Sequence, residues 1–252
     1  MRPLTSVMFL ALLAAALPAT LEAQTRPGAR SPDFLFGAPA GAVSIRWNLD
    51  LHRGRSDWYD FVQRELTLDS GDFNTPGIAG DVSFQLAPRF DLVAGASWGR
   101  RTTRSEYRDF VDNNRQPIEQ QTRLTQAAFT AGVRYELLER GRTISSLAWI
   151  PRRVVPYVGG GGGILYYDLE QFGDFVDVAD FSVFPDVLPS NGIAPTAYVN
   201  GGLDIMLIKR LYLTVDGRYQ WAAADLDEGA WRGFEPLDLS GVRISTGISV
   251  LF

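Results

Sequence analysis

The sequence predicts an all-β chain: a single eight-stranded antiparallel up-and-down transmembrane β-barrel. Three observations predict it. Apolar and polar side chains alternate with period two over segments of about ten residues, the pattern of a strand whose two faces meet different surroundings. Long polar connections alternate with short turns. Aromatic side chains gather near the ends of the apolar faces.

The first strand, Ala42 to Leu51, sets Val43, Ile45, Trp47, Leu49 and Leu51 against Ser44, Arg46, Asn48 and Asp50. The second, Ile78 to Leu86, alternates Val82 and Phe84 with Asp81 and Ser83, and Ala87-Pro88-Arg89 forms a tight turn into the third, Phe90 to Arg100. The fourth runs from Thr125 to Leu137 with Arg134 and Glu136 on its polar face. The fifth, Tyr157 to Leu169, includes the run Gly159 to Gly163, and its apolar face is assigned to Leu165, Tyr167 and Leu169. The sixth, Thr196 to Leu207, carries Asp204, and a turn at Ile208-Lys209-Arg210 leads into the seventh, Leu211 to Trp221, with Asp216 and Arg218. The eighth runs from about Leu239 to Phe252, with Arg243 opposite Val242 and Ile244.

Long connections are expected at Arg53 to Gly77, Arg104 to Gln121, Gln171 to Gly192 and Ala223 to Asp238, and short turns at Pro88 and Lys209. The link Glu139 to Pro156 is the exception on the short side. A soluble sandwich also alternates, but nothing makes it place its long connections at every second position. A barrel with short periplasmic turns and long outer loops does. Two aromatic girdles fit the same reading: Trp47, Trp98, Tyr167, Tyr219 and Trp221 towards the outer rim, and Tyr135 and Tyr157 near the inner one.

The chain divides into a signal peptide over 1–23, an irregular arm over 24–40 and the barrel over 41–252. Arg2, the apolar run Val7 to Leu17 and Leu21-Glu22-Ala23 have the order of an export signal cut near Ala23. That run is too short to cross a bilayer as a helix, which needs about 20 residues. A charged fraction of 21% and a mean hydropathy of -0.05 exclude a helical membrane bundle, yet suit a barrel that hides lipid-facing residues at alternate positions. With no cysteine, stability must come from sheet closure or from a large core. A net charge of -5 with dispersed arginines disfavours nucleic-acid binding.

The alternating segment Val242 to Phe252, ending in Phe252, resembles the C-terminal signal of Gram-negative outer-membrane proteins. With the export signal and about eight strands, residues 41 to 252 resemble the small outer-membrane β-barrels of the OmpA/OmpX/OmpW type. The resemblance implies a bacterial outer-membrane location. It implies contact with outer-membrane lipid and lipopolysaccharide, and recognition of Phe252 by the barrel-assembly machinery. It assigns no activity, because one fold hosts many functions.

The polar faces bring Arg46, Asp50, Asp81, Arg134, Glu136, Asp168, Glu170, Asp204, Asp216, Arg218 and Arg243 into the lumen, with Arg46, Asp81, Arg134, Asp204, Asp216, Arg218 and Arg243 as the core of a polar network. An eight-stranded barrel is just wide enough to be filled by side chains, so these groups are expected to form a paired plug. The alternative is a narrow solute path. Gly159 to Gly163 lacks the Lys-Ser/Thr that completes a phosphate loop. His52, beside Asp50 and Ser56, is the one residue suited to acyl chemistry of the kind lipid A-modifying barrels perform. The acidic run Asp174, Asp177, Asp180 and Asp186 matches no Ca²⁺-loop spacing. No cofactor, metal site or catalytic residue is expected. The function expected is a structural or surface-interaction role, with a conduit for small solutes second and a lipid A-modifying acyl enzyme third.

Overall fold

The computed structural model describes residues 34–112, 114–145, 148–177 and 182–252. The expected signal peptide and most of the expected arm lie outside them. Among the described residues eleven strands are formed: β1 (Gly41–His52), β2 (Thr75–Ala87), β3 (Phe90–Val111), β4 (Pro117–Glu136), β5 (Gly141–Ser145), β6 (Ala148–Pro151), β7 (Val154–Val176), β8 (Val183–Ile208), β9 (Leu211–Ala224), β10 (Leu237–Asp238) and β11 (Gly241–Leu251). A helix, α1 (Asp57–Glu65), follows β1.

Eight of the strands close a ring in the order β9-β11-β1-β2-β3-β4-β7-β8, with β8 pairing back to β9 and every pairing antiparallel. Closure leaves no unpaired edge through the body of the barrel. Outward-facing positions are apolar, as Ile45, Trp47, Phe84, Leu92, Phe129, Val133, Val199 and Ile248 illustrate; all are exposed. One cross-strand row, Trp47–Ile78–Trp98–Ala127–Tyr166–Ile193, marks the loop-end limit of this band. Two residues further, the outward row becomes Arg100–Thr125–Asp168–Asn191.

The rim is uneven. β1, β2, β9 and β11 have 11 to 14 residues, close to the ~9–11 a transmembrane strand needs. β3, β4, β7 and β8 have 20 to 26 and rise beyond the apolar band as a four-stranded wall. The expected loops Arg104 to Gln121 and Gln171 to Gly192 are therefore mostly hairpin. Their prolines read as loop signals, but β8 pairs with β9 only from Thr196 onward. Pro185, Pro189 and Pro195 sit on a free edge, where no ladder hydrogen bond is lost.

The fifth strand of the sequence reading, now β7, faces the other way. Tyr157, Leu165, Tyr167 and Leu169 are buried inside the ring, whereas Val158, Ile164 and Tyr166 are exposed outside. Tyr157 and Tyr167 are thus not girdle residues. The glycine run gives no facing signal, and the upper lumen is itself apolar, so apolarity did not distinguish the faces. Trp47, Trp98 and Trp221 are exposed outside, and the partly buried Tyr219 packs edge-on against Trp221 at 4.8 Å. Tyr135 packs on Phe90 at 4.9 Å, near the turn end.

The described part of the Glu139 to Pro156 link carries two strands. β5 and β6 form a hairpin, and β6 bridges to Leu35 through Leu35–Trp149 backbone hydrogen bonds of 2.7 and 2.9 Å.

Candidate functional site

The barrel interior holds nearly all the buried polar side chains, in three layers from the short-turn end to the loop end. The first is a lid. Trp149 and Leu35 pack against Ala42, Met206, Tyr212 and Leu251, and the Tyr212 hydroxyl donates to the Arg152 carbonyl at 3.1 Å.

The second is an ionic network, and it includes the lumen residues expected from the sequence except Asp168 and Glu170, which the inverted facing of β7 turns outward, Glu170 pairing there with Arg123 at 2.6 Å. Arg46 pairs with Asp81. Arg134 reaches Asp91 at 3.1 Å and Asp204 at 3.5 Å. Arg243 donates to Asp50 at 2.5 and 3.1 Å and to Ser97 Oγ at 2.9 Å. Asp216 accepts from Tyr157 Oη at 3.0 Å and from Asn200 Nδ2 at 2.8 Å. Arg218 stacks over the Tyr198 ring at 4.0 Å. Thr214 Oγ1 donates to Asp204 and also contacts Ser249 Oγ, both at 2.7 Å.

Sequence reasoning missed Asp91, Arg140 and Tyr157 in this layer. Arg140 lies in the link beyond β4, yet it is buried and pairs with Asp91 at 2.6 Å and with Glu136. Tyr157 was assigned outward. Neither departs from the period-two rule within its strand; Arg140 simply follows the strand's end, where alternation no longer says which way a side chain points.

Five arginines (46, 134, 140, 218 and 243) meet six carboxylates (50, 81, 91, 136, 204 and 216) in this layer. Four of the arginines and five of the carboxylates form ion pairs, while Arg218 stacks on Tyr198 and Asp216 is held by neutral donors. Burial without a partner would cost several kcal/mol per ion, so the pairing is what makes a charged interior tolerable. Glycines supply the room: a Cβ at Gly132 would lie 2.5 Å from Tyr198 Oη, and one at Gly161 would strike the Ala131 carbonyl.

The third layer is apolar. α1 brings Trp58, Tyr59 and Val62, all fully buried, into a cluster with Leu124, Leu165, Tyr167 and Leu169 of the wall. Trp231 and Leu237 of the last loop complete it, and Trp58 meets Phe73 and Trp231 edge-on at 5.3 and 6.1 Å. The helix was not expected, although Ser56 at its N-cap and buried Trp58, Tyr59 and Val62 spaced one turn apart are a helical signal. Burial pushes the Tyr59 hydroxyl well above the usual tyrosine range. Tyr167 Oη ties the layer down by donating to the Asp225 carbonyl at 2.5 Å.

Two interior cavities have volumes of about 10 Å³ each. One is lined by Asp50, His52, Gln126, Gln220 and Arg243, the other by Arg46, Asp81, Asp216 and Arg218. Each has room for one water and for no organic solute.

His52 is the last residue of β1. The hydroxyl against its Nε2 is that of Thr75, at 3.5 Å, while Ser56 Oγ instead meets the Asp238 backbone N–H at 3.4 Å. Among the described residues no three His, Cys, Asp or Glu side chains are grouped to hold a metal ion. Of the acidic run, Asp180 lies outside the described residues. Phe252 packs edge-on against Phe84 at 5.9 Å, and its carbonyl accepts from Ala40 at 2.8 Å. Among the described residues no helix is long and apolar enough to cross a membrane, which has no bearing on crossing by strands.

No protein-family model matches the chain, and neither does any curated protein. Solved structures do. Neisserial surface protein A is similar at 12% identity and a TM-score of 0.48, covering 86% of this chain and 99% of its own. The outer membrane protein OprG of Pseudomonas aeruginosa has 13% identity and a TM-score of 0.45, with 86% and 99% covered. The attachment invasion locus protein Ail of Yersinia pestis has 13% identity and a TM-score of 0.44, with 84% and 99% covered. On its own strand order and register this chain is a closed eight-stranded antiparallel barrel, a fold similar to that of these small outer-membrane proteins.

Proposed function

We propose that this chain is an integral outer-membrane barrel without catalytic activity, serving a structural or surface-interaction role. The observation that carries this reading is the filled bore: a lid, an ionic network and an apolar plug succeed one another along the barrel. The apolar outer band supports insertion in a bilayer, since a soluble barrel has no reason to expose Ile45, Trp47, Ile78, Phe84 and Leu86 together. The short-turn end then faces the periplasm and the wall stands outside the cell.

A rigid bore suits display. The wall and the loops seated on it through α1 present a fixed outer surface, and the energy of the interior goes into holding that surface still. Outer-leaflet lipid and lipopolysaccharide are its neighbours in this reading, and Phe252 serves recognition by the barrel-assembly machinery. Liposome swelling tests the reading: vesicles carrying the purified barrel admit small sugars and amino acids no faster than empty vesicles. Lipid A mass is unchanged on expression; a new lipid A species lost in His52→Ala would assign an enzyme instead.

A further inference from the structure

The two ends of the barrel differ in charge. At the loop end both signs mix: exposed Asp60, Asp69, Asp109, Asp227 and Glu228 share the surface with arginines such as Arg104. The short-turn end is basic. Arg142, Arg152, Arg153 and Arg210 are exposed there, and Glu139 is the one exposed carboxylate side chain at that end among the described residues.

Their setting matters as much as their sign. Arg142 pairs across the β5–β6 hairpin with Ile150 and therefore shares its face, while Trp149 lies on the opposite face, buried under the barrel. The face carrying Arg142 and Ile150 consequently points away from the interior, with Ile150 38% exposed, and Ile144 in the adjacent register shift is 55% exposed. Arg153 precedes Val154, which faces outward opposite Ile205, and the Arg153 carbonyl accepts from Met206 at 2.8 Å. That places Arg153 at the end of the strand opposite Met206, which the exposed Leu207 and Ile208 follow, with Arg210 in the adjoining turn. Guanidinium groups thus flank an aliphatic rim at the edge of the apolar band. A surface of that composition is at home where acyl chains give way to charged headgroups.

We propose that this rim binds the phosphate headgroups of anionic phospholipids in the leaflet at the short-turn end, through Arg142, Arg153 and Arg210 with Arg152 beside them. The proposal rests on the membrane reading above and deepens it. Guanidinium pairs bidentately with phosphate oxygens, and the exposed isoleucines and Leu207 cover the upper acyl carbons. A zwitterionic headgroup offers the same phosphate but cancels its charge, so the rim selects among lipids by net charge.

The test uses the purified full barrel in neutral detergent, offered equal amounts of phosphatidylglycerol and phosphatidylcholine, with retained lipid counted by native mass spectrometry. Phosphatidylglycerol is retained in excess, and each arginine replaced weakens that preference by roughly fivefold. In Arg142→Ser/Arg153→Ser/Arg210→Ser the two lipids are retained equally, while Arg104→Ser at the loop end changes nothing. Excess inorganic phosphate leaves phosphatidylglycerol in place. Equal retention by the unaltered protein, a preference surviving the triple substitution, or displacement by free phosphate each overturns the proposal. Heat-modifiable gel migration of every protein reports the barrel independently, so lost preference in the triple variant with that migration intact supports the proposal, whereas equal retention by the unaltered protein with that migration intact defeats it and leaves the membrane reading standing.

Discussion

Tyr157 and Asp216 meet inside the barrel, the tyrosine hydroxyl donating to the carboxylate at 3.0 Å across from β7 to β9. The same carboxylate accepts from Asn200, so one buried charge is held by two neutral donors on neighbouring strands. Hydrogen bonds to a charged group contribute about 1.5–3 kcal/mol, more than a neutral pair. Tyr157→Phe is therefore expected to destabilise the barrel by about 2 kcal/mol, read as a lower urea midpoint in detergent micelles. An unchanged midpoint would mean that Asp216 draws its support elsewhere.

The Arg46–Asp81 pair makes a sharper case, because both side chains are buried, at 7% and 6% exposure. Removing one partner leaves an uncompensated charge and costs about 3–5 kcal/mol. Arg46→Met and Asp81→Leu should each lower stability by that much. The double substitution should recover most of it, since an apolar pair of similar volume is often neutral. Additive losses in the double variant would contradict pairing.

Lipid exposure differs among the tryptophans in a way a bilayer reads directly. In single-tryptophan variants, Trp47, Trp98 and Trp221 should be quenched by phospholipids brominated along their acyl chains. Trp58 and Trp149, at 0% and 5% exposure inside the barrel, should not. Quenching of Trp58 to the level of Trp98 would place α1 in lipid and not in the barrel mouth.

The apolar plug carries its own expectation. Trp58→Ala removes a fully buried indole from the cluster of Phe73, Leu165 and Trp231 and should cost about 3–5 kcal/mol. Protease sensitivity in the segment 53–74 should rise, while the membrane strands stay protected. Equal sensitivity in both proteins would show that α1 is not held by this packing.

What the sequence discloses follows the alternation of faces and stops where alternation ceases to distinguish them. β1 and β9 separate apolar from polar cleanly, so Trp47 outside and Arg46 inside were legible. In β7 the glycines at 159–163 say nothing about facing, and Leu165, Tyr167 and Leu169 are apolar because they meet α1, not lipid. A rule that equates apolar with outward must invert such a strand. The ionic residues were legible as inward, but their partners were not, because pairing depends on register around the ring. The wall was hidden by prolines that only an edge strand accommodates. The lid shows as an overlong link, and its pairing with Leu35 lies beyond any local pattern.

The central claim is that the bore is closed by its own side chains, and single-channel recording in a planar bilayer tests it most directly. With the purified barrel inserted and its folded form verified by heat-modifiable migration, the account predicts a silent bilayer with no discrete conductance steps. Reproducible steps from that folded form, scaling with salt as an aqueous path does, would contradict it.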